Sequence, residues 1–197
     1  RHYRSRCRPF VNRPCRVPGM LDYAEITITR GTNVGEYFLM KYIYYLSLGS
    51  NLGDREQYLA NAIEGLRRHE NIESVTPSKW LETAPWGNTN QGPFLNGACK
   101  VVTTLVPEAM LQVMQALEKA AGRERLVHWG PRTLDLDIVW AEKEDGRLIE
   151  VQSETLTIPH PYLWDRAFVL VPLSELYPNF IFQGQAIGDR IKELDEA

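Results

Sequence analysis

Trp129-Gly130-Pro131-Arg132-Thr133-Leu134-Asp135-Leu136-Asp137-Ile138-Val139-Trp140 is the stretch around which the rest of the chain is organised. Leu134, Leu136 and Ile138 recur at period two, which predicts a strand with these three on one face and Asp135 and Asp137 on the other. Aspartate is depleted in strands, and two adjacent carboxylates repel unless water or a cation lies between them. Hard divalent ions take oxygen ligands, and Mg²⁺ is commonly held by one or two carboxylates with substrate phosphates completing its shell. Arg123, Arg125, Arg132 and Arg147 lie nearby in sequence, and guanidinium groups match phosphate. The pattern reads as a metal–nucleotide site. An edge strand with a solvated acidic face would give the same Asp-x-Asp spacing. The preceding Trp-Gly-Pro-Arg tips the reading toward a site, because its turn delivers an indole and an arginine to the carboxylate end of the strand.

This segment resembles the signature of the 6-hydroxymethyl-7,8-dihydropterin pyrophosphokinase (HPPK) family, whose strand carries the same Arg-x-x-Asp-x-Asp arrangement followed by apolar residues. Tyr45-Leu46-Ser47-Leu48-Gly49-Ser50-Asn51-Leu52-Gly53-Asp54 is similar to the family's opening strand and turn. Thr157-Ile158-Pro159-His160, with Arg166-Ala167-Phe168, is similar to its closing elements, so the resemblance covers residues 42 to about 190. It implies transfer of diphosphate from ATP to the hydroxymethyl group of the dihydropterin, releasing AMP, in folate biosynthesis. It also implies two Mg²⁺ ions on Asp135 and Asp137, with Arg123, Arg125 and Arg132 as the other catalytic residues.

Gln115, Glu118, His160 and Arg166 are the ATP-binding residues that the resemblance implies, and Thr83, Trp86, Phe94, Asn96, Trp129 and Phe168 form the implied pterin pocket. A pterin is flat with a donor and acceptor edge, so aromatic faces and an amide or hydroxyl suit it. Trp86 stands where the family often has a smaller apolar residue. His128 stands where many relatives have arginine, replacing a permanent charge with one that titrates near neutrality.

At 197 residues the chain suits one domain, or one domain with an appendage. A net charge of −3 gives no sign of a nucleic-acid binder, so small molecules are the expected partners. Cys7, Cys15 and Cys99 form neither a disulfide framework nor a zinc pattern, which fits a reducing, cytoplasmic setting. No apolar run is long enough for a membrane span, and no signal sequence is expected.

Residues 1–40 read as a tail distinct from a domain over 41–197. The first 19 residues hold six arginines, three prolines and no acid, and a fragment boundary is the expected explanation. Arg13-Pro14-Cys15-Arg16-Val17-Pro18-Gly19, followed by Tyr23-Ala24-Glu25-Ile26-Thr27-Ile28-Thr29-Arg30, reads as a turn and then an alternating strand, and resembles the last strand of dihydroneopterin aldolase, with Arg13 standing at that enzyme's catalytic lysine position. A fused or associated aldolase is therefore a candidate partner, although no aldolase activity is expected of this chain. A disordered basic tail is the alternative.

From Lys41 onward the pattern predicts a strand to Leu48, a structural turn through Gly49–Gly53, and a helix capped by Asp54 with Gln57 and running to about Arg68. A strand over 72–81, a loop over 82–93 and a strand over 95–104 follow. Pro107 starts a helix with Met110, Met114, Leu117 and Ala121 as its buried stripe, and Gly122 ends it. After the Asp-x-Asp strand come a short outer strand over 147–151, an apolar helix over 168–176, a short strand about Phe180 to Phe182, and a final helix over 187–194. The order predicts an α+β fold of ferredoxin-like type, HPPK-like, an antiparallel sheet with helices packed on one face. The rival from another class is a binding module that presents aromatics to single-stranded RNA, against which the acidity of the working face speaks.

Overall fold

The computed structural model describes residues 40–84, 90–122 and 133–196. The apolar run Tyr42–Ser50 forms strand β1, and its alternation sends Tyr44, Leu46 and Leu48 to one face and Tyr45 to the other. Helix α1 (Arg55–Arg67) starts where expected: the Asp54 carboxylate accepts from the Gln57 N–H at 3.1 Å. It turns Leu59, Ala62, Ile63 and Leu66 onto the first face.

Strand β2 (Ile72–Pro77) is followed by a separate three-residue strand β3 (Leu81–Thr83), where one strand was expected. Pro77 brings no N–H to the ladder, and Ser78 leaves it by accepting from the Ala98 N–H through its hydroxyl at 2.9 Å. Strand β4 (Phe94–Thr103) leads to helix α2 (Pro107–Ala120) and then strand β5 (Asp135–Lys143).

The sheet runs β2-β4-β1-β5, with β3 also on β4 and every pairing antiparallel. That is the ferredoxin-like strand order, and the α+β expectation holds. Helices α1 and α2 bury Leu59, Leu66, Met110 and Met114 against Leu46, Leu48, Leu136 and Ile138 on the first face.

The second face is covered too, contrary to the one-faced packing expected. Helix α3 (Ala167–Leu176), a β8–β9 hairpin (Ile181–Phe182 and Gln185–Ala186) and helix α4 (Ile187–Glu196) bring Val169, Leu170, Leu173, Phe180 and Ile187 against Tyr45 and Val139. A β-bulge makes this possible. Leu46 pairs with Ile138 and Tyr45 with Trp140, so Val139 is the extra residue and both Val139 and Trp140 reach the second cluster. The aspartates lie on this same face, before the bulge, beyond the part that the second cluster's described residues pack against.

The outer strand expected over 147–151 is reduced to a single bridge between Glu142 and Leu148. Val151–Gln152 (β6) pairs instead with Thr157–Ile158 (β7). In α2 the buried stripe is Pro107, Met110, Met114 and Glu118, while Leu117 and Ala121 are only partly buried.

Candidate active site

Three residues in register across the sheet define the second face's open end: Asn96 on β4, Gly49 on β1 and Asp135 on β5. Two inter-strand steps separate Asn96 from Asp135, about 10 Å at the usual spacing. Gly49 keeps the gap clear. A Cβ there would sit 3.1 Å from Asn96 Oδ1 and 3.7 Å from the Phe94 ring. Asn96 is 4% exposed and donates through Nδ2 to Thr83 Oγ1 at 2.6 Å, which fixes the direction of its amide. Sequence reading took Gly49 for part of a turn, whereas the strand continues through it to Ser50.

Asp137 lies opposite Ser47, one pleat repeat from Asp135 on the same face. Both carboxylates are half-buried while Leu134, Leu136 and Ile138 are 1%, 5% and 4% exposed, so the alternation expected of this strand holds as far as the bulge. His160 Nε2 lies 3.9 Å from Asp137 Oδ2. The histidine is placed by its backbone, which donates to Val139 O at 2.9 Å, and its Nδ1 accepts from the Tyr162 N–H at 3.1 Å. The ring proton therefore sits on Nε2, facing the carboxylate. Burial, joined by the Arg166 charge and opposed by Asp135, brings the His160 pKa down to about 4, so the ring is neutral near pH 7. Arg166, at the start of α3, stacks over Tyr162 at 4.9 Å and lies 5.8 Å from the Phe168 ring centroid.

Among the described residues β5 is the last strand of the sheet, and a pocket of about 450 Å³ lies at its outer edge. Gln115 and Glu118 line it from α2, Asp137 and Ile138 from β5, and Thr157 and His160 from the closing segment. Its size falls within the roughly 300–1,000 Å³ of small-molecule sites. Glu118 is 6% exposed, and its Oε1 accepts from the Leu136 N–H at 2.9 Å. That bond satisfies an edge donor of the strand that carries both aspartates. The burial of Glu118, and the pocket positions of Ser153 and Thr155, carry no sequence signal.

The structure thus brings together Thr83, Phe94 and Asn96 at one end of the face, Asp135, Asp137, His160 and Arg166 at the other, and Gln115 and Glu118 at the β5 edge. Phe168 joins the same face from α3. Arg147 does not belong: it pairs with Asp145 at 2.6 Å in an exposed turn. Trp86, Arg123, Arg125, His128, Trp129 and Arg132 lie outside the described residues. Among the described residues no group of three or more His, Cys, Asp or Glu side chains is arranged to hold a metal.

A ferredoxin-like sheet whose second face sets two carboxylates, a histidine and an arginine beside a pocket of small-molecule size has the makings of a small-molecule phosphotransferase. Comparison with known proteins makes the class specific. Residues 45–178 match the family model described as 7,8-dihydro-6-hydroxymethylpterin-pyrophosphokinase (HPPK), and the chain belongs to that family. It is 40% identical over 151 residues to the 2-amino-4-hydroxy-6-hydroxymethyldihydropteridine pyrophosphokinase of Methylorubrum extorquens, covering 77% of this chain and 92% of that one. The Bacillus subtilis protein of the same name is 42% identical over 137 residues, covering 70% and 79% respectively. The fold is shared with Plasmodium falciparum HPPK-DHPS at a TM-score of 0.59 and 15% identity, over 78% of this chain and 44% of that one.

Proposed function

We propose that the residues assembled on the second face carry out the reaction that family membership gives this chain: transfer of diphosphate from ATP to 6-hydroxymethyl-7,8-dihydropterin, with release of AMP. The observation that carries the residue assignment is the row Asn96–Gly49–Asp135. It leaves a gap of about 10 Å, sized for a bicyclic ring with its hydroxymethyl arm, between an oriented amide and a carboxylate.

In this reading Thr83, Phe94, Asn96 and Phe168 fix the pterin, with Trp86 and Trp129 as further contributors from outside the described residues. The acceptor hydroxyl then points toward Asp135 and Asp137. Its oxygen forms a bond to the β-phosphorus of ATP as the bond to the α-phosphate oxygen breaks, and the hydroxyl proton leaves to solvent. Such transfer depends mainly on in-line positioning and charge neutralisation, so no nucleophilic side chain is required.

Half-buried carboxylates on a single face are hard oxygen donors that fit Mg²⁺ with phosphate completing the shell. Asp135 and Asp137 would hold the ions, two being expected, which when bound would neutralise the triphosphate. Gln115, Glu118, His160 and Arg166 line the nucleotide's path. A neutral His160 serves as a hydrogen-bond donor from Nε2 rather than as a cation. Arg123, Arg125 and Arg132 are proposed as the phosphate partners that the resemblance implies.

We further propose that residues 1–40 form a tail separate from the 41–197 domain, that an aldolase is its candidate fusion partner, and that the chain works in the cytoplasm. Relatives support the general idea of fusion, since a Lactococcus lactis relative, 40% identical over 153 residues, is named as bifunctional. No helix of the described residues is long and apolar enough to cross a membrane.

The test is product analysis with ATP, Mg²⁺ and the hydroxymethyl dihydropterin. The expected products are AMP and the pterin diphosphate, lost in Asp137→Ala without loss of fold. Release of ADP would refute the reaction, and full activity in Asp137→Ala would refute the site.

A further inference from the structure

Thr83 and Phe94 are opposite one another at the last pair of the β3–β4 ladder, where the two segments part. A terminal pair in a three-residue strand frays readily unless something outside the ladder holds it. Asn96 depends on that pair, because its amide direction is set by the 2.6 Å bond to Thr83 Oγ1.

One side chain grips both segments from a third element. Arg55, the first residue of α1, donates through Nη1 to the Pro93 carbonyl at 2.8 Å and through Nη2 to Glu82 Oε2 at 2.7 Å. Glu82 directly precedes Thr83, and Pro93 directly precedes Phe94. The same β1–α1 junction adds a second hold, with Asn51 Nδ2 donating to Gln91 Oε1 at 3.0 Å and to the Gly92 carbonyl at 3.4 Å. A surface ion pair would need only Glu82. The guanidinium fork instead spans two separate stretches of chain, a geometry that a lysine's single ammonium does not reproduce.

We infer that Arg55 is a positioning residue for the acceptor: by tying the segment before Thr83 to the segment before Phe94, it holds the Thr83–Asn96 pair in its ligand-reading orientation. This rests on the pterin site proposed above. The Arg55 and Glu82 side chains are 28% and 58% exposed, so the contact adds little to global stability and its removal leaves a folded protein. Its effect is local and falls on one substrate only, because neither Pro93 nor Glu82, the two residues that Arg55 binds, lines the β5-edge pocket.

The experiment compares the full chain with Arg55→Ala and Arg55→Lys. Each is followed by steady-state AMP release with pterin and ATP varied separately, by thermal melting, and by NMR of the Asn96 side-chain amide without ligands. In Arg55→Ala the KM for pterin rises about tenfold while the KM for ATP stays within about twofold, the usual signature of a misplaced acceptor. The Asn96 amide resonances shift and broaden, melting is nearly unchanged, and Arg55→Lys falls between. An unchanged pterin KM with an unmoved Asn96 amide overturns the inference, as does an equal rise in both KM values, which would mark general loosening. If the unaltered chain releases no AMP, the proposed function fails. The amide readout then still decides whether Arg55 sets Asn96, an unmoved signal refuting it.

Discussion

Replacing Glu118 with alanine is expected to destabilise the fold by more than the loss of a solvated helix charge would. Its carboxylate is 6% exposed and takes the Leu136 N–H at 2.9 Å, a charge-assisted bond at the outer edge of β5. Hydrogen bonds of that kind contribute about 1.5–3 kcal/mol, and the N–H left behind has no strand neighbour on that side among the described residues. A loss of about 2–3 kcal/mol follows, which for a chain of this size lowers Tm by roughly 4–12 °C. Glu118→Gln keeps an acceptor without the charge, so about half of the loss is expected. The assay is thermal and urea unfolding without nucleotide, which separates this structural role from any contact with ATP. An alanine variant that melts within about 1 °C of the unaltered chain, while nucleotide affinity falls, would refute the reasoning. Glu118 would then act on the ligand alone.

Gly49→Ala places a Cβ 3.1 Å from Asn96 Oδ1, so the amide must give way and strain its bond to Thr83; pterin affinity in a fluorescence titration should fall about tenfold, with nucleotide affinity kept. Burial pushes the Cys99 thiol up to about 12. The unfolded chain ionises first, so stability present below pH 9 is lost as pH rises toward 12, and Cys99→Ala should show a flatter denaturation midpoint across that window. Arg190 donates to the Trp164 carbonyl at 2.7 Å and to Asp165 Oδ1 at 3.2 Å, pinning the turn between His160 and Arg166. Arg190→Ala should raise the KM for ATP and lower stability by about 1–2 kcal/mol, measured by kinetics and urea unfolding.

The face bearing the two aspartates was legible because period-two alternation holds strictly from Leu134 to Ile138. It ceases to be legible at Val139, where an Ile-Val-Trp-Ala run gives no glycine or polar residue to mark the bulge. The second helical layer has its own signal in the sequence: Tyr42-Ile43-Tyr44-Tyr45-Leu46 is apolar on both faces, as a strand covered on both sides must be. Likewise Phe168–Leu173 is apolar all round, the mark of a buried helix rather than an edge one. Glu118 could not be read, since a charge on an amphipathic helix looks solvated until the edge donor it satisfies is known. Arg55 and Gly49 matter through contacts with residues far along the chain, which no local pattern encodes.

The central claim is that the acceptor and the phosphates meet over the face where Asn96, Gly49 and Asp135 stand in a row. Crystals grown with Mn²⁺, a non-hydrolysable ATP analogue and the hydroxymethyl dihydropterin would locate the metal directly by its anomalous signal. The account predicts metal about 2 Å from carboxylate oxygens of Asp135 and Asp137, with the pterin lying between Asn96 and the metal. Metal bound away from both carboxylates, or a pterin seated off that row, would contradict it.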